Sequence, residues 1–146
     1  MKKLLISAFA LCFAGAIAAQ ESPLWMRHCV LSPDGTTIAF TYKGDIYTVP
    51  ATGGRATQIT TNPAFDTEPV WSPDGKQIAF ASDRMGSLDV FTVSKDGGVP
   101  QRLTTHSGSE KPVAYKDNNH ILFTANITPS TEDAGFPSGQ FQQVYE

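Results

Sequence analysis

The sequence predicts an all-β protein built from repeated units, and three observations support this fold class. The run Val30–Phe40 recurs as Val70–Phe80, 40 residues later. The run Gly53–Thr61 recurs as Gly97–Thr105, 44 residues later. The chain also contains 12 glycines and 10 prolines, and no long stretch after residue 19 has helical periodicity. A repeat of this period is typical of an array of small β units.

The first 19 residues are predicted to be a cleaved export signal. Lys2 and Lys3 form a positively charged start, Leu4–Ile17 forms an apolar run, and Ala16–Ala19 offers small residues for cleavage. The apolar run is short for a membrane-spanning anchor. The mature chain is therefore expected to be periplasmic or secreted in a bacterium, and not to span a membrane.

Composition excludes some partners. The chain has 40% hydrophobic and 17% charged residues, as a folded protein does. Loss of the signal removes two lysines and leaves a net charge of about −5, so clustered phosphate-binding cations and a nucleic-acid partner are not expected. Cys29 would then be the only cysteine, which excludes an internal disulfide, and we expect its thiol to be buried in the first strand.

Each unit starts its regular part with the same turn and strand. Ser-Pro-Asp-Gly suits a type I turn, because proline presets the second position and glycine is favoured at the fourth. The strands Thr37–Tyr42 and Gln77–Ser82 follow. Both carry large apolar side chains on one face and small alanines on the other, so both faces can be buried. This pattern predicts a sheet packed between two others.

Two more strands and the segment before the turn complete each unit. The strands Asp45–Val49 and Asp89–Val93 are rich in β-branched and aromatic residues. A Gly-Gly turn leads to the last strand, Gln58–Thr60 or Arg102–Thr104. The segment before the Ser-Pro-Asp-Gly turn, such as Glu68–Trp71, is counted as a further strand. Each unit then has four short strands, which is the size of one propeller blade.

A third, divergent unit begins near Pro112. It has the strand His120–Thr124, a long insertion at Ile127–Gly139 and the strand Gln142–Tyr145, but no final strand. The 40- and 44-residue offsets differ because the second unit has four extra residues in the turn before Asp89, where insertions are tolerated.

The predicted architecture is thus a partial β-propeller with two complete blades and a truncated third. The divisions are a signal peptide at 1–19, a lead-in strand at 20–29, and blades at 30–69, 70–112 and 113–146. A propeller needs at least four blades to close. We therefore expect the chain to be the N-terminal piece of a longer protein.

The repeated unit resembles a known family. Ser-Pro-Asp-Gly-x-x-Ile-Ala-Phe, then Asp-(Ile/Val)-(Tyr/Phe)-x-Val and Gly-Gly-x-x-x-x-(Ile/Leu)-Thr, is similar to the TolB-like propeller repeat. The resemblance covers about residues 24 to 146. Such blades occur in periplasmic partner-binding proteins and in several peptidase classes, so the resemblance implies the fold and leaves the function open.

A narrower resemblance involves the signal peptide, Ser22–Arg27, Ala39–Tyr47 and Phe136–Gln140. These segments are similar to the start of secreted bacterial tricorn-type serine peptidases. In that family an N-terminal propeller precedes PDZ-like and catalytic domains. The resemblance implies a propeller that guides or filters peptide or protein substrates and is not catalytic by itself, since no catalytic residue of the family has a matching position here.

Two acidic residues are candidates for contact with substrate. Asp66 and Glu68 lie in the segment between the first two blades. Asp89 matches Asp45 by repeat position, which favours a structural role for both, and the pair Asp83–Arg84 is predicted to be a surface turn pair. Repetition of Trp71 and the phenylalanines at blade positions favours core packing over ligand stacking.

Other chemistry finds no support in the sequence. No two of the three histidines have metal-ligand spacing, so neither a metal nor a cofactor is predicted. Gly135–Gly139 lacks the spacing of a Gly-x-Ser-x-Gly nucleophile elbow. Two alternative functions stay open: a TolB-like periplasmic scaffold that binds proteins, and the propeller of a prolyl-oligopeptidase-like enzyme with a downstream elbow.

Overall fold

The structure, a computed structural model, describes residues 25–106, 108–125 and 143–146. The predicted signal peptide and the Ile127–Gly139 insertion lie outside these residues. Every regular element in the described part is a strand. In chain order the strands are β1 (Arg27–Leu31), β2 (Thr37–Tyr42), β3 (Asp45–Pro50), β4 (Thr57–Gln58), β5 (Asp66–Trp71), β6 (Gln77–Ser82), β7 (Asp89–Ser94), β8 (Gln101–Arg102), β9 (Glu110–Tyr115), β10 (Ile121–Ala125) and β11 (Gln143–Tyr145). In this described part, no helix is long and apolar enough to cross a membrane.

The strands form three antiparallel sheets in which sequence neighbours pair. The orders are β1-β2-β3-β4, β5-β6-β7-β8 and β11-β10-β9. Among the described residues this confirms the predicted fold class, with two four-stranded blades and a three-stranded third. The bounds of β2 and β6 are as predicted.

The last strand of each complete blade is shorter than predicted. Only Thr57–Gln58 and Gln101–Arg102 pair as strands. The following Ile59 instead donates its N–H to the Ile46 carbonyl at 2.8 Å, and the Thr60 hydroxyl accepts from the Ile46 N–H at 3.0 Å. The Thr60 hydroxyl thus takes the place of a backbone carbonyl as the acceptor for the Ile46 N–H.

Each sheet begins with an inner strand, the name used here for β1, β5 and β9. The inner strands of successive blades contact each other. The sequence divisions at residues 30, 70 and 113 fall inside these strands, whereas the hydrogen-bonded sheets start at Arg27, Asp66 and Glu110.

The main core lies between blades 1 and 2. Phe80 and Ile78 of blade 2 are fully buried against Ala39 and Ile46 of blade 1. Trp71 packs on the same cluster, and its indole N–H donates to the Val30 carbonyl at 3.3 Å. The predicted core role of the repeated aromatic residues is confirmed at these positions.

The Ser-Pro-Asp-Gly turns are held by their aspartates. Asp74 accepts from the Ser72 hydroxyl at 2.7 Å and from the Lys76 N–H at 3.1 Å, and Asp34 accepts from Ser32 and Thr36 in the same way. The serine hydrogen bond is the main cause that lowers the pKa of each aspartate, followed by the backbone hydrogen bond. The aspartate of this motif therefore stabilises the turn.

These turns predict a specific acid sensitivity. Because the folded pKa values are lowered, the stabilisation is complete above the unfolded value of about 3.9 and is lost as the pH falls through the folded values. We expect the melting temperature to fall below about pH 4, and to fall less when Asp34 and Asp74 are both changed to Asn. Asp96→Asn is the exposed control, and an unchanged acid profile in the double variant would contradict the assignment.

The expectation of a buried Cys29 is wrong. Cys29 is exposed in β1. Its equivalent in β5, Pro69, is fully buried. The difference arises because β5 lies between two blades, whereas among the described residues β1 has a neighbouring blade on one side only.

Cys29 is therefore expected to react with a maleimide in the folded chain at close to the rate of the unfolded chain. Mass spectrometry of the labelled chain measures this rate, and Cys29→Ser is the control for reaction elsewhere. A rate lowered by orders of magnitude on folding would contradict the exposed position.

Candidate functional site at the loop edge of the blades

The candidate site residues lie at one edge of the sheets, named here the loop edge. It contains the starts of the inner strands, the β2–β3 and β6–β7 connections and the segments between blades. Strand register places them together, because Arg27 pairs with Thr41 and Asp66 pairs with Ser82, which pairs with Asp89. The Ser-Pro-Asp-Gly turns lie at the opposite edge. By the same register, β10 ends and β11 begins at the loop edge.

Asp66, a predicted site residue, is fully buried at this edge. Both of its carboxylate oxygens accept from Arg84 Nη2 at 3.0 Å. Arg84 Nε also donates to the Ser82 hydroxyl at 2.8 Å, and its guanidinium lies 4.5 Å from the ring centre of Phe91. A ligand would have to displace Arg84 to reach this carboxylate.

The predicted surface pair at Asp83–Arg84 is wrong for Arg84. Only 13% of the Arg84 side chain is exposed. The Arg84 side chain is buried because the four extra residues of the β6–β7 connection let the chain bend back toward Asp66 and the rings of Phe80 and Phe91. Asp83 stays exposed, and its carboxylate accepts from the Phe65 N–H at 2.7 Å.

Glu68, the other predicted site residue, lies in a bulge of β5. Its φ is +53°, and His28 at the equivalent place in β1 has φ of +52°. The Lys111 ammonium lies 2.6 Å from Glu68 Oε1, and a quarter of the Glu68 side chain is exposed. The ion pair joins the inner strands β5 and β9. Left-handed backbone at residues other than glycine costs energy and is concentrated at functional sites.

The two predicted carboxylates thus differ in partner and in accessibility. Asp66 is buried with Arg84, and Glu68 is partly exposed with Lys111. Their role in substrate binding stays a prediction, and accessibility makes Glu68 the better placed of the two.

Asp45 and Asp89 connect the third strand of their blade to the fourth. Asp45 accepts from the Gln58 amide at 3.0 Å, and Asp89 lies 2.9 Å from Arg102 Nη2. Burial, and then the charge of Asp66, raises the pKa of Asp45.

One cavity at the loop edge was not predicted from the sequence. It has a volume of about 450 Å³ and lies at the junction of blades 1 and 2. Its walls are mainly apolar. The lining residues are Trp25, Arg27, Thr41, Lys43, Gly44 and Phe65. A usable sequence signal existed. Arg27 lies in β1 and Lys43 directly follows β2, whereas the second unit has Thr67 and Asp83 at the matching positions, neither of which is a cation.

The histidines do not form a site. His106 accepts from the Gly108 N–H at 3.0 Å, and the His120 ring lies 2.9 Å from Asp117 in an exposed turn. In residues 25–106, 108–125 and 143–146, no three His, Cys, Asp or Glu side chains come together as a metal cluster.

Consecutive four-stranded sheets with contacting inner strands define this region as part of a β-propeller. Residues 23–137 match the model of the Tricorn protease N-terminal β-propeller domain. The chain belongs to this family, as the narrower resemblance predicted.

Individual relatives agree with the family. Tricorn protease homolog 1 of Streptomyces coelicolor is 38% identical over 77 residues, which are 53% of this chain and 7% of that protein. The structure of putative TolB from Agrobacterium tumefaciens is 32% identical, with a TM-score of 0.57, over 67% of this chain and 39% of that one. The crystal structure of the tricorn protease shares the fold, with a TM-score of 0.54 at 17% identity over 72% of this chain and 11% of that chain. The chain spans well under two thirds of each of these proteins.

Proposed function

We propose that the chain is the propeller start of an exported tricorn-type serine peptidase, and that it guides or filters peptide substrates without catalysing hydrolysis itself. The observation that carries this proposal is the family match over residues 23–137, together with 38% identity to a tricorn protease homolog. The proposed partners are peptide or protein substrates and PDZ-like and peptidase domains of the same protein.

The loop edge offers a physical basis for guiding peptides. The inner strands share contacts, so their starts form one continuous rim across the described blades. On this rim Glu68 and Lys111 present a partly exposed ion pair, and Trp25 and Phe65 are exposed apolar side chains, with Met85 exposed beside them in the β6–β7 connection. Such a mixture suits extended peptides, which carry both polar backbone and apolar side chains. Export is proposed from Lys2, Lys3 and the apolar run after them.

The coding sequence beyond Glu146 provides the first test. The proposal expects further blades followed by PDZ-like and peptidase domains. A stop codon after the propeller would overturn it.

Kinetics of the complete protein provide the second test. We expect Glu68→Gln to lower kcat/KM for peptides of about ten residues and to leave kcat/KM for a short chromogenic substrate unchanged, because only the longer substrate needs guidance. Asp96→Asn, a matched loss of charge at an exposed turn, should change neither value. Equal losses for both substrates in Glu68→Gln would argue against a guiding role.

A second candidate function is a TolB-like scaffold that binds envelope proteins. The 32% identity to putative TolB from Agrobacterium tumefaciens favours it. It expects the reading frame to end after the propeller and a stable partner to be recovered from envelope extracts. Peptidase domains downstream of Glu146 would exclude it.

A further inference from the structure

We propose that the cavity at the junction of blades 1 and 2 binds the acidic side chain of an extended peptide whose neighbouring residue is apolar. This inference rests on the proposed function, because it names the class of peptide that the loop edge would select. Three features of one cavity carry it: two cations and a buried hydroxyl that have no ion-pair or hydrogen-bond partner in the described part of the chain, and an apolar wall.

The first observation is charge. Arg27 and Lys43 are exposed and line the cavity. Among the described residues neither forms an ion pair, although seven other pairs are present there. Each cation lies over an aromatic ring instead, Arg27 at 5.8 Å from Trp25 and Lys43 at 5.3 Å from Tyr42. Two exposed cations that no described carboxylate neutralises attract an anion.

The second observation is the Thr41 hydroxyl. Thr41 lines the cavity and is 4% exposed, yet its Oγ1 has no hydrogen-bond partner among residues 25–106, 108–125 and 143–146. A buried hydroxyl without a partner is costly, and such groups in native structures call for an explanation. The Oγ1 atom is itself enclosed, so a carboxylate held between Arg27 and Lys43 would accept from it after a χ1 rotation that turns the hydroxyl toward the cavity.

The third observation is the apolar wall and its support. Trp25 is 63% exposed and Phe65 is 49% exposed. Phe65 is held by the hydrogen bond from its N–H to Asp83, and a Cβ at Gly44 would come within 3.4 Å of its ring. The wall is open to the rim, so a passing chain can place an internal side chain here. We therefore assign the site to an internal acidic residue, with the chain terminus as the competing source of the carboxylate.

The next junction serves as an internal control. By strand register the positions of Arg27, Thr41 and Phe65 are taken there by Thr67, Ala81 and Ser109. These are uncharged and small. The first junction therefore has a distinct composition that the fold alone does not require.

Fluorescence anisotropy with labelled ten-residue peptides tests the inference on the complete protein. The probe contains Phe-Glu in a Gly-Ser background, and its matched partner contains Phe-Gln. We expect the Glu peptide to bind about three- to tenfold more tightly, the range for a partly exposed charged contact, and amidation of the carboxyl terminus to change nothing. Dependence on the free terminus with no preference for Glu would overturn the assignment.

Four variants complete the test. Arg27→Gln and Lys43→Asn should each remove most of the preference for Glu, and Asn tolerates the φ of +52° at position 43. Thr41→Val should weaken binding of the Glu peptide while leaving the fold intact, because the hydroxyl has no partner to lose in the part of the chain that the structure describes. Lys76→Gln, the same loss of charge at the opposite edge, should have no effect. Equal binding of the Glu and Gln peptides overturns only this inference, whereas no binding of either peptide overturns the proposed function as well.

Discussion

Replacing Arg84 with methionine is expected to lower the free energy of unfolding by about 3–5 kcal/mol, the range for breaking a buried ion pair. The cause is the partner left behind. Asp66 is fully buried, and both of its oxygens depend on Arg84. Removal of the guanidinium leaves an uncompensated charge between blades 1 and 2. Urea denaturation of the chain measures the loss.

Two matched variants separate this effect from a general loss of cations. Lys95→Met breaks an exposed pair with Asp96 and should cost less than about 1 kcal/mol. Adding Asp66→Asn to Arg84→Met should restore part of the stability, because the unpaired charge is then gone. A loss in the Arg84 variant as small as in the Lys95 variant would mean that the buried pair is not formed.

Replacing Phe80 with alanine is expected to cost about 3–5 kcal/mol. Phe80 is 0% exposed, its ring centre lies 6.0 Å from that of Phe91, and it packs in the core between blades 1 and 2. Truncation removes the transfer energy of the ring and leaves a cavity that rigid sheets fill poorly. Thermal or urea unfolding measures the effect.

Conservative and exposed controls accompany this prediction. Phe80→Leu keeps most of the volume and should cost clearly less than alanine. Val99→Ala, at a side chain that is 95% exposed, should lie within about 0.5 kcal/mol of the original chain. Near-equal values for Phe80→Ala and Val99→Ala would contradict the packing of blade 2 against blade 1.

The predictions from the sequence succeeded where the cause is local. The strands β2 and β6 end where predicted, since a type I turn and alternating side chains define them over a few residues. The structural role of Asp45 and Asp89 followed from their equal positions in the repeat. The core role of Phe80 and Trp71 followed from the same repetition.

The predictions failed where distant segments meet. Arg84 looked like a surface residue because its partner Asp66 lies 18 residues earlier, with strand β5, a turn and strand β6 between them. Cys29 looked buried because free cysteine usually is, whereas burial at this position needs a blade on each side of the inner strand. The cavity at the first junction brings together Arg27, Thr41 and Phe65 from separate strands and loops.

The sequence by itself thus determined the repeat, the strands and the turns, and with them the class of fold. Turn chemistry and two-residue alternation act within a unit, so they can be recognised in the chain as written. The tertiary structure decided which side chains meet at the loop edge. Packing of successive blades sets those meetings, which bury Asp66 against Arg84 and bring Arg27, Lys43 and Thr41 to one cavity.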